Sequence, residues 1–488
     1  MYLLENSILK KTLILIWAIY ILSAIVIYFA GGEQFFYSTA DTGEMVKATN
    51  DVGEMTTGRE ICQRFKLKGS EISSIIIEGY NYQRQAGGIM NISLTAEDGR
   101  ELYSREYDMT LLGNVSPTEI IFDKPVPILD DEIITLKIKV IDGSKGSSPT
   151  IYYGSSIFLA RGEIPVNLKE YEKLYVDGKV VDGKLCFKAV GKRDISFGRY
   201  YWYIFAGISV LLLFFTIFEL QSRKREKRTR FCDLINAIVK YKYLLGQLVQ
   251  RDFKRKYKRS VLGVLWSLLN PMLIMMVQYV VFSTIFKSDI NNFAVYLLSG
   301  IVCYNFFSEI TNMSLTSIVE NASLITKVYI PKSIYPISRA FSATINFMLS
   351  LIPLLIVILV TKTPITHSIA VLPFAIICLF VLSLGVGLIL SSLMVFFRDT
   401  QFLWNVFILI WMYVTPIFYP EKILSGWIQY VFKINPLYHI IRFFRIVLLN
   451  GISPEPKAYL YCLVASVVPL IIGIMVFHKT KDKFILYL

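Results

Sequence analysis

The chain has 488 residues, of which 54% are hydrophobic and only 18% are charged, a composition that argues against a soluble globular protein. The net charge of +14 is uneven, because residues 31–197 hold 20 Lys and Arg against 25 Asp and Glu, whereas the remainder holds 31 against 12. The basic excess adjoins apolar segments. This arrangement indicates the positive-inside pattern of membrane proteins and not a nucleic-acid-binding surface.

The first apolar segment runs from Thr12 to about Ala30 and follows Lys10 and Lys11. It is longer than the apolar region of a typical signal peptide, and no clear small-residue cleavage site precedes Gly31. We therefore predict a transmembrane anchor in residues 1–30, in preference to a cleaved signal peptide.

Residues 31–198 change character, because short runs of alternating apolar and polar residues are separated by turns. Asp-Gly pairs at 98–99, 142–143, 177–178 and 182–183 mark these turns. The pattern predicts an antiparallel β-sandwich with its own core. Its two cysteines, Cys62 and Cys186, form a candidate disulfide, although two free thiols would give the same sequence. Six tyrosines could stack on sugar rings or form cross-strand pairs: Tyr80, Tyr82, Tyr103, Tyr107, Tyr152 and Tyr153.

A second transmembrane helix is predicted at residues 199–220, where clustered aromatic residues precede an apolar run. Residues 221–258 form a basic linker that contains an amphipathic helix, and we expect this helix to lie at the cytoplasmic membrane surface. The basic block at 222–230 places this side in the cytoplasm, so the β-sandwich between the two helices is predicted to be extracytoplasmic.

The C-terminal half contains six further apolar segments, at about 261–286, 293–313, 336–361, 369–396, 401–419 and 457–477. A semi-apolar stretch at 420–450 is broken at Asn435-Pro436 and predicts two short helices. The predicted fold is therefore a polytopic α-helical membrane protein of about eight spans, with both termini in the cytoplasm and an extracytoplasmic antiparallel β-sandwich. No pair of cysteines has CxxC spacing, so a zinc site is not expected.

Several motifs in this half follow one another in a specific order. Residues 250–271 read QRDFKRKYKRSVLGVLWSLLNP, and they are followed by LITKVYIPK at 324–332, FFRDT at 396–400, NPLYH at 435–439 and RFFR at 442–445. This series resembles the ABC-2 type permeases, most closely the branch that exports O-antigen, teichoic acid and capsule-type polysaccharides. The resemblance covers about 231–488, with the six-helix permease domain at 259–488. The anchor helices and the β-sandwich are additions to the simplest members.

The resemblance implies a permease subunit that moves lipid-linked polysaccharide across the bacterial cytoplasmic membrane. It further implies a homodimer of this chain with two copies of an ABC ATPase subunit. The chain has no GxxxxGK[ST] phosphate-binding loop, so we expect ATP and Mg to bind the partner and expect no catalytic, cofactor or metal site here.

The resemblance also assigns candidate residues to coupling with the ATPase. One group follows the second span of the permease domain, and the other ends the amphipathic helix: Glu320, Leu324, Ile325, Lys327, Val328, Tyr329 and Pro331, with Arg251, Asp252, Arg255 and Tyr257. The alternative role for the basic members is binding of lipid headgroups.

Aromatic side chains suit a path for a hydroxyl-rich polymer, because sugar rings stack on them. The candidates are Trp266, Tyr279, Phe282, Tyr304, Phe307, Trp404, Phe407, Trp411 and Tyr413, although aromatics in spans also pack against lipid and other helices. His439, Arg442 and Arg445 are candidates for an exit gate or for contact with a lipid phosphate, because Arg suits bidentate phosphate contact. Snorkelling to the outer surface is the alternative.

Two alternative functions stay open. The chain could be an ABC-2 exporter of a different amphiphile, or a membrane-anchored glycan assembly protein or glycosyltransferase. The dense acidic triplet Asp130-Asp131-Glu132 lies in the β region, however, and not in a cytoplasmic loop. An ion-coupled transporter would need carboxylates inside its spans, where Glu309 is nearly alone.

Overall fold

The computed structural model describes residues 2–43, 45–46, 48–81, 87–112, 117–154, 172–225, 229–257, 263, 265–282, 292–328, 330–419 and 428–488. The chain divides into two compact units. Unit 1 comprises Met1–Gln34 and Arg199–Leu488, and unit 2 comprises Phe35–Gly198.

Unit 2 is built of antiparallel strands. A six-stranded sheet has the order β12-β11-β3-β9-β6-β7, a four-stranded sheet has the order β1-β14-β4-β8, and β2, β5, β10 and β13 form a smaller group. The strands are β1 Tyr37–Asp41, β2 Asn50–Asp51, β3 Glu60–Lys66, β4 Glu71–Ile77, β5 Gly79–Tyr80, β6 Ile89–Ala96, β7 Glu101–Asp108, β8 Thr118–Pro127, β9 Ile133–Asp142, β10 Thr150–Gly154, β11 Leu174–Val176, β12 Lys179–Val181, β13 Lys184–Leu185 and β14 Phe187–Asp194.

The two larger sheets share one apolar core. Alternate residues of β6 are buried, and so are alternate residues of β3 and β9, as the period-two pattern requires. Phe65 of β3 meets Phe187 of β14 edge to face at 5.3 Å, and Tyr103 of β7 stacks on Phe122 of β8 at 4.2 Å. Because each pair joins one sheet to the other, the sheets pack face to face as a sandwich.

The candidate disulfide is not formed, since Cys62 and Cys186 are both free thiols. Cys62 lies on the face of β3 opposite to the buried Ile61 and its Sγ lies 3.3 Å from a carboxylate oxygen of Glu60, whereas Cys186 is fully buried between β13 and β14. The expectation of a bond is therefore wrong, because the two side chains occupy different layers of the sandwich.

Unit 1 is helical. Its helices are α1 Tyr2–Gly31, α2 Phe197–Lys224 (which begins two residues before the unit boundary), α3 Arg230–Tyr257, α4 Leu265–Val280, α5 Phe293–Glu320, α6 Ala322–Ile325, α7 Ile334–Val360, α8 Leu372–Phe396, α9 Thr400–Val414, α10 Ile428–Ile434, α11 Pro436–Leu449, α12 Pro456–Thr480 and α13 Phe484–Tyr487. Within the described residues, six helical segments are long and apolar enough to cross a bilayer: Ile8–Phe35, Phe197–Ser222, Phe293–Glu320, Ile334–Val360, His367–Phe396 and Pro456–Tyr487.

The predicted fold class, a polytopic α-helical membrane protein with an antiparallel β-sandwich, is confirmed with one refinement in the length of two spans, whereas cytoplasmic termini and an extracytoplasmic β-sandwich stay predictions. The predicted segments 261–286 and 401–419 correspond to the shorter apolar helices Leu268–Val280 and Thr400–Val414. The predicted break at Asn435 is present, because α10 ends at Ile434 and α11 begins at Pro436. The Asn435 side chain caps α11 by accepting a hydrogen bond from the Leu437 amide.

Helix α5 lies at the centre of the permease half. Its span is 78% buried inside the chain, whereas the spans at the two ends of unit 1 are mostly exposed. One large apolar cluster packs α5 against α7, α8 and α11. Next to it, α8 and α12 approach closely at glycines, because a Cβ on Gly473 would collide with the Gly385 carbonyl oxygen.

Replacing Gly473 with Ala should lower the thermal unfolding midpoint of the purified protein. The added methyl group meets backbone of α8, and overpacking of this kind costs about 1–3 kcal/mol. Gly207→Ala is the matched control, since nothing lies within 4 Å of its Cβ position. Equal midpoints for the two variants would contradict the close α8–α12 contact.

Thiol reactivity in unit 2 should be slow at neutral pH. Burial raises the pKa of Cys62 to about 11 and that of Cys186 to about 12, so little thiolate is present at pH 7. We expect the alkylation rate of Cys62, measured by site-resolved mass spectrometry, to keep rising above pH 9. A free cysteine control levels off near its pKa of about 8.5. A Cys62–Cys186 peptide in the non-reduced digest would contradict the structure.

Candidate functional site

The amphipathic helix α3 brings a carboxylate into the helical unit. Tyr241 and Leu244 pack partly against the core and Leu248 is buried, whereas Lys242 and Gln247 are exposed. Asp252 follows Leu248 by four residues and therefore continues the same inward-facing stripe. Its side chain is only 2% exposed, which places a negative charge where it needs a partner.

Arg339 of α7 supplies that partner and joins three helices. Its Nη1 lies 3.0 Å from Asp252 Oδ1, and its Nη2 donates to Glu320 Oε2 at 2.6 Å. The Arg339 side chain is itself 8% exposed. Since Glu320 ends α5, this ion cluster fixes the ends of α3 and α5 to α7. We call Asp252, Arg339 and Glu320 the ion clasp.

The predicted coupling segment begins directly at the ion clasp. Asn321 links α5 to the short helix α6, and its side-chain oxygen accepts a hydrogen bond from Arg251 at 3.2 Å. Ile325 is buried in a cluster with residues of α3, α7 and α8, so it anchors α6 to its own chain. The segment is thus held firmly at its start.

The remaining predicted coupling residues differ in exposure. Lys327 and Val328 are exposed, Leu324 and Pro331 are partly buried, and Arg251 and Arg255 are exposed on α3. Tyr329 lies outside the described residues, and so does the side chain of Tyr257. The exposed members form a surface that a partner protein could contact.

The predicted path residues occupy two environments. Tyr304, Phe307 and Trp404 are buried in the chain's own core, and the Tyr304 hydroxyl donates to the Ile408 carbonyl oxygen. The others are exposed or partly buried on α4, α9 and the turn after α4: Trp266, Tyr279, Phe282, Phe407, Trp411 and Tyr413.

A ladder of stacked rings runs along α9. Trp404 stacks on Phe407 at 5.2 Å, and Phe407 meets Trp411 at 5.0 Å. Among the described residues, no hydrogen-bond acceptor reaches the buried indole nitrogens of Trp404 and Trp411. Buried N–H groups of this kind are unusual, because most buried polar groups in proteins have a hydrogen-bond partner.

Arg445 lies at the other end of α5, among backbone carbonyls. It donates to Pro416 at 2.6 Å and to Ile417 at 2.9 Å, and its guanidinium lies 3.4 Å from the centroid of the Tyr296 ring. A Cβ on Gly300 would come within 2.9 Å of this guanidinium. These contacts hold the turn after α9 against α5, which gives Arg445 a structural role.

His439 and Arg442, the other predicted gate residues, are more accessible. His439 is partly buried and its Nε2 lies 2.7 Å from the Lys433 carbonyl oxygen, whereas Arg442 is exposed. The structure therefore places Arg442 nearer than Arg445 to any external phosphate. Contact with a lipid phosphate stays a prediction for all three residues.

Sequence reasoning missed the partner of Asp252. That partner, Arg339, lies inside the apolar helix α7, five residues after its start. A charge inside an apolar helix was the available signal, because such residues are expensive unless paired.

The family model for ABC-2 type transporters matches residues 243–449. The O-antigen export system permease protein RfbA of Klebsiella pneumoniae is 30% identical over 256 residues, which cover 50% of this chain and 98% of the relative. The chain belongs to the ABC-2 type transporter family. The matched region contains α5, α7, α8 and α9 together with the ion clasp.

Two further relatives of this ABC-2 permease carry related names. RfbA of Myxococcus xanthus is 27% identical over 255 residues, covering 51% of this chain and 97% of the relative. The polysialic acid transport protein KpsM of Escherichia coli is 24% identical over 248 residues, covering 50% and 95%. Each relative thus corresponds in length to about half of the present chain.

Replacing Arg339 with Gln should strongly destabilise the permease. Removing one partner of a buried ion pair leaves an uncompensated charge and costs about 3–5 kcal/mol. The thermal unfolding midpoint should fall, and adding Asp252→Asn should restore part of the loss. Arg255→Gln is the control, since this side chain is 78% exposed and lies 4.0 Å from Glu320. Equal losses for Arg339→Gln and Arg255→Gln would contradict a buried clasp.

Proposed function

We propose that this chain is the permease subunit of an ABC exporter that moves lipid-linked polysaccharide out across the bacterial cytoplasmic membrane. The observation that carries the proposal is the match, over nearly the whole length of the relatives, to proteins named for O-antigen export and polysialic acid transport. The ion clasp adds support, because it fixes the coupling segment rigidly to α5 and thus to the centre of the permease half.

The proposed exporter contains two copies of this chain and two copies of a separate ATPase, which binds ATP and Mg. Many apolar side chains of α4 and α9 are exposed in the single chain, which is evidence for a second copy that would cover them. Lys327 and Val328 are exposed at the end of the segment that the ion clasp fixes. A partner protein needs accessible residues of this kind, so their exposure is evidence for contact with the ATPase.

The proposed topology places both termini and the loop after α5 in the cytoplasm. The basic block at 222–230 begins in the last turn of α2, Lys479 lies in the last turn of α12, and Lys481 and Lys483 follow that helix. Positive residues of this density stay on the cytoplasmic side. Unit 2 then lies outside, where it is positioned to meet the exported polymer.

The polymer is proposed to slide along the ring ladder of α9. Ring faces offer sugar C–H surfaces a contact that breaks no ion pair, and the Phe407 ring of the ladder is exposed in the single chain. The gate proposed at His439 and Arg442 would act where the polymer or its lipid leaves.

Unit 2 is proposed to bind the emerging glycan only through surface that its own packing leaves accessible. Tyr103 stacks on Phe122, and its hydroxyl lies 2.6 Å from that of Tyr107, so both rings are largely used within the sandwich. Tyr80 and Tyr152, whose centroids are 6.3 Å apart, are better candidates. Tyr82 lies outside the described residues.

Reconstitution with an ABC ATPase subunit from the same strain tests the proposal. Proteoliposomes containing both proteins should hydrolyse ATP faster when lipid-linked glycan from the same strain is added. Lipid carrier without glycan is the control. Stimulation by the bare carrier alone, or no stimulation by either, would contradict export of lipid-linked polysaccharide.

Replacing Val328 with Asp should uncouple the permease from its ATPase. The side chain is 49% exposed at the proposed contact, and a carboxylate there must be desolvated against the partner, which costs about 1–3 kcal/mol. We expect weaker co-purification of the ATPase and an unchanged unfolding midpoint. Val180→Asp makes the same change at a 60% exposed valine of unit 2 and should leave co-purification unchanged. Equal co-purification in both variants would place the coupling contact elsewhere.

A further inference from the structure

A cavity of about 350 Å³, lined by both charged and apolar side chains, lies between α3, α5 and α7. Its volume falls at the lower end of the range for small-molecule sites. Three acidic and three basic side chains line it: Asp252, Glu309, Glu320, Arg255, Lys256 and Arg339. Their formal charges cancel, which argues against a site selected for a strongly charged ligand.

One end of the cavity is occupied by the ion clasp. Both terminal nitrogens of Arg339 are engaged by carboxylates, at 3.0 Å to Asp252 and 2.6 Å to Glu320. An incoming anion would have to displace these carboxylates from a nearly buried arginine. This end is therefore a fixed wall of the cavity and not a phosphate site.

The other end has a different arrangement around Glu309. Glu309 Oε1 accepts from Lys256 Nζ at 2.6 Å and from the side-chain amide of Asn346 at 2.7 Å. Glu309 lies eleven residues before the end of α5, about 16 Å along the helix axis. The Glu309 and Lys256 side chains stay 25% and 48% exposed, so this polar group faces an accessible space.

We propose that this cavity binds one saccharide unit of the polymer on the cytoplasmic side, before the unit passes along α9. The proposal rests on the exporter function proposed above. A sugar hydroxyl donates and accepts, and the cavity supplies a carboxylate acceptor, an ammonium donor and an amide that does both. Phe253 adds a ring face for the sugar C–H groups.

The charge arrangement distinguishes a sugar from the lipid phosphate. Glu309 lies 2.6 Å from Lys256 and Glu320 lies 2.6 Å from Arg339, so the paired charges of the lining give an anion no net attraction. A neutral sugar needs no such attraction and gains hydrogen bonds to ionised groups, which are the stronger kind. The saccharide and not the phosphate of the substrate is therefore the part recognised here.

Protection of an introduced thiol tests the site in the full-length purified protein. Met313→Cys places a thiol on the cavity wall, and its labelling by a small water-soluble thiol reagent is followed against the parent protein. The probe is a set of oligosaccharides released by mild acid from the strain's own surface polysaccharide. We expect these oligosaccharides to slow labelling severalfold, and inorganic pyrophosphate at the same concentration to have little effect.

Two further variants locate the binding. Adding Asn346→Leu removes the amide and should raise the oligosaccharide concentration needed for protection about tenfold, since a hydrogen bond to a charged network is lost. Adding Asn312→Leu makes the same change on α5 at a residue that bonds Ser308 and should leave protection unchanged. The labelling rate without sugar reports whether each variant keeps its cavity. Glu309→Gln, which keeps an acceptor oxygen, provides a second variant if Asn346→Leu alters that rate.

The outcomes separate this proposal from the exporter function. Absence of protection, stronger protection by pyrophosphate, or equal protection in the Asn346→Leu and parent backgrounds would overturn the saccharide site. If cells that carry Met313→Cys still display the polysaccharide, the exporter function stands without the site. If deletion of the gene leaves the surface polysaccharide unchanged, the exporter function itself fails.

Discussion

The permease half depends on two arginines that fix the buried helix α5 at its two ends. Arg339 holds the Glu320 end through carboxylates, and Arg445 holds the Tyr296 end through backbone carbonyls and a ring face. Within an apolar unit neither charge is stable without such partners, so each arginine selects one arrangement of the helices around it. Helix α5 is thereby a rigid element, and it ends directly at the coupling segment.

This rigidity is consistent with the proposed coupling, in which a short segment transmits movement of the ATPase to the permease helices. A displacement of the segment after Glu320 would reach α3 and α7 through the ion clasp, because the buried Ile325 anchors α6 to the same chain. The aromatic ladder of α9 lies at the edge of the core, since Trp404 is buried in it whereas Phe407 is exposed. The unit thus combines a fixed centre with a partly accessible aromatic face, which fits the proposed passage of a polymer.

Much of the fold follows from sequence pattern, because period-two alternation and 20-residue apolar runs are strong local signals. The sandwich, the break at Asn435 and the long spans were predictable for this reason. The partner of Asp252 was not, because a contact between residues 87 positions apart leaves no local trace. Likewise, the sequence predicted a gate or phosphate contact for Arg445 but not its backbone carbonyl partners. The spacing of Cys62 and Cys186 did not show that the two side chains lie in different layers.

Coupling to an ATPase requires that the end of α5 faces the cytoplasm. An impermeant maleimide tests this with Val328→Cys, which is exposed after α5, and Val180→Cys, which is exposed in unit 2. We expect intact spheroplasts to be labelled only at position 180, and inside-out vesicles only at position 328. Labelling of position 328 in intact spheroplasts would rule out the proposed coupling, because no cytoplasmic ATPase could then contact it.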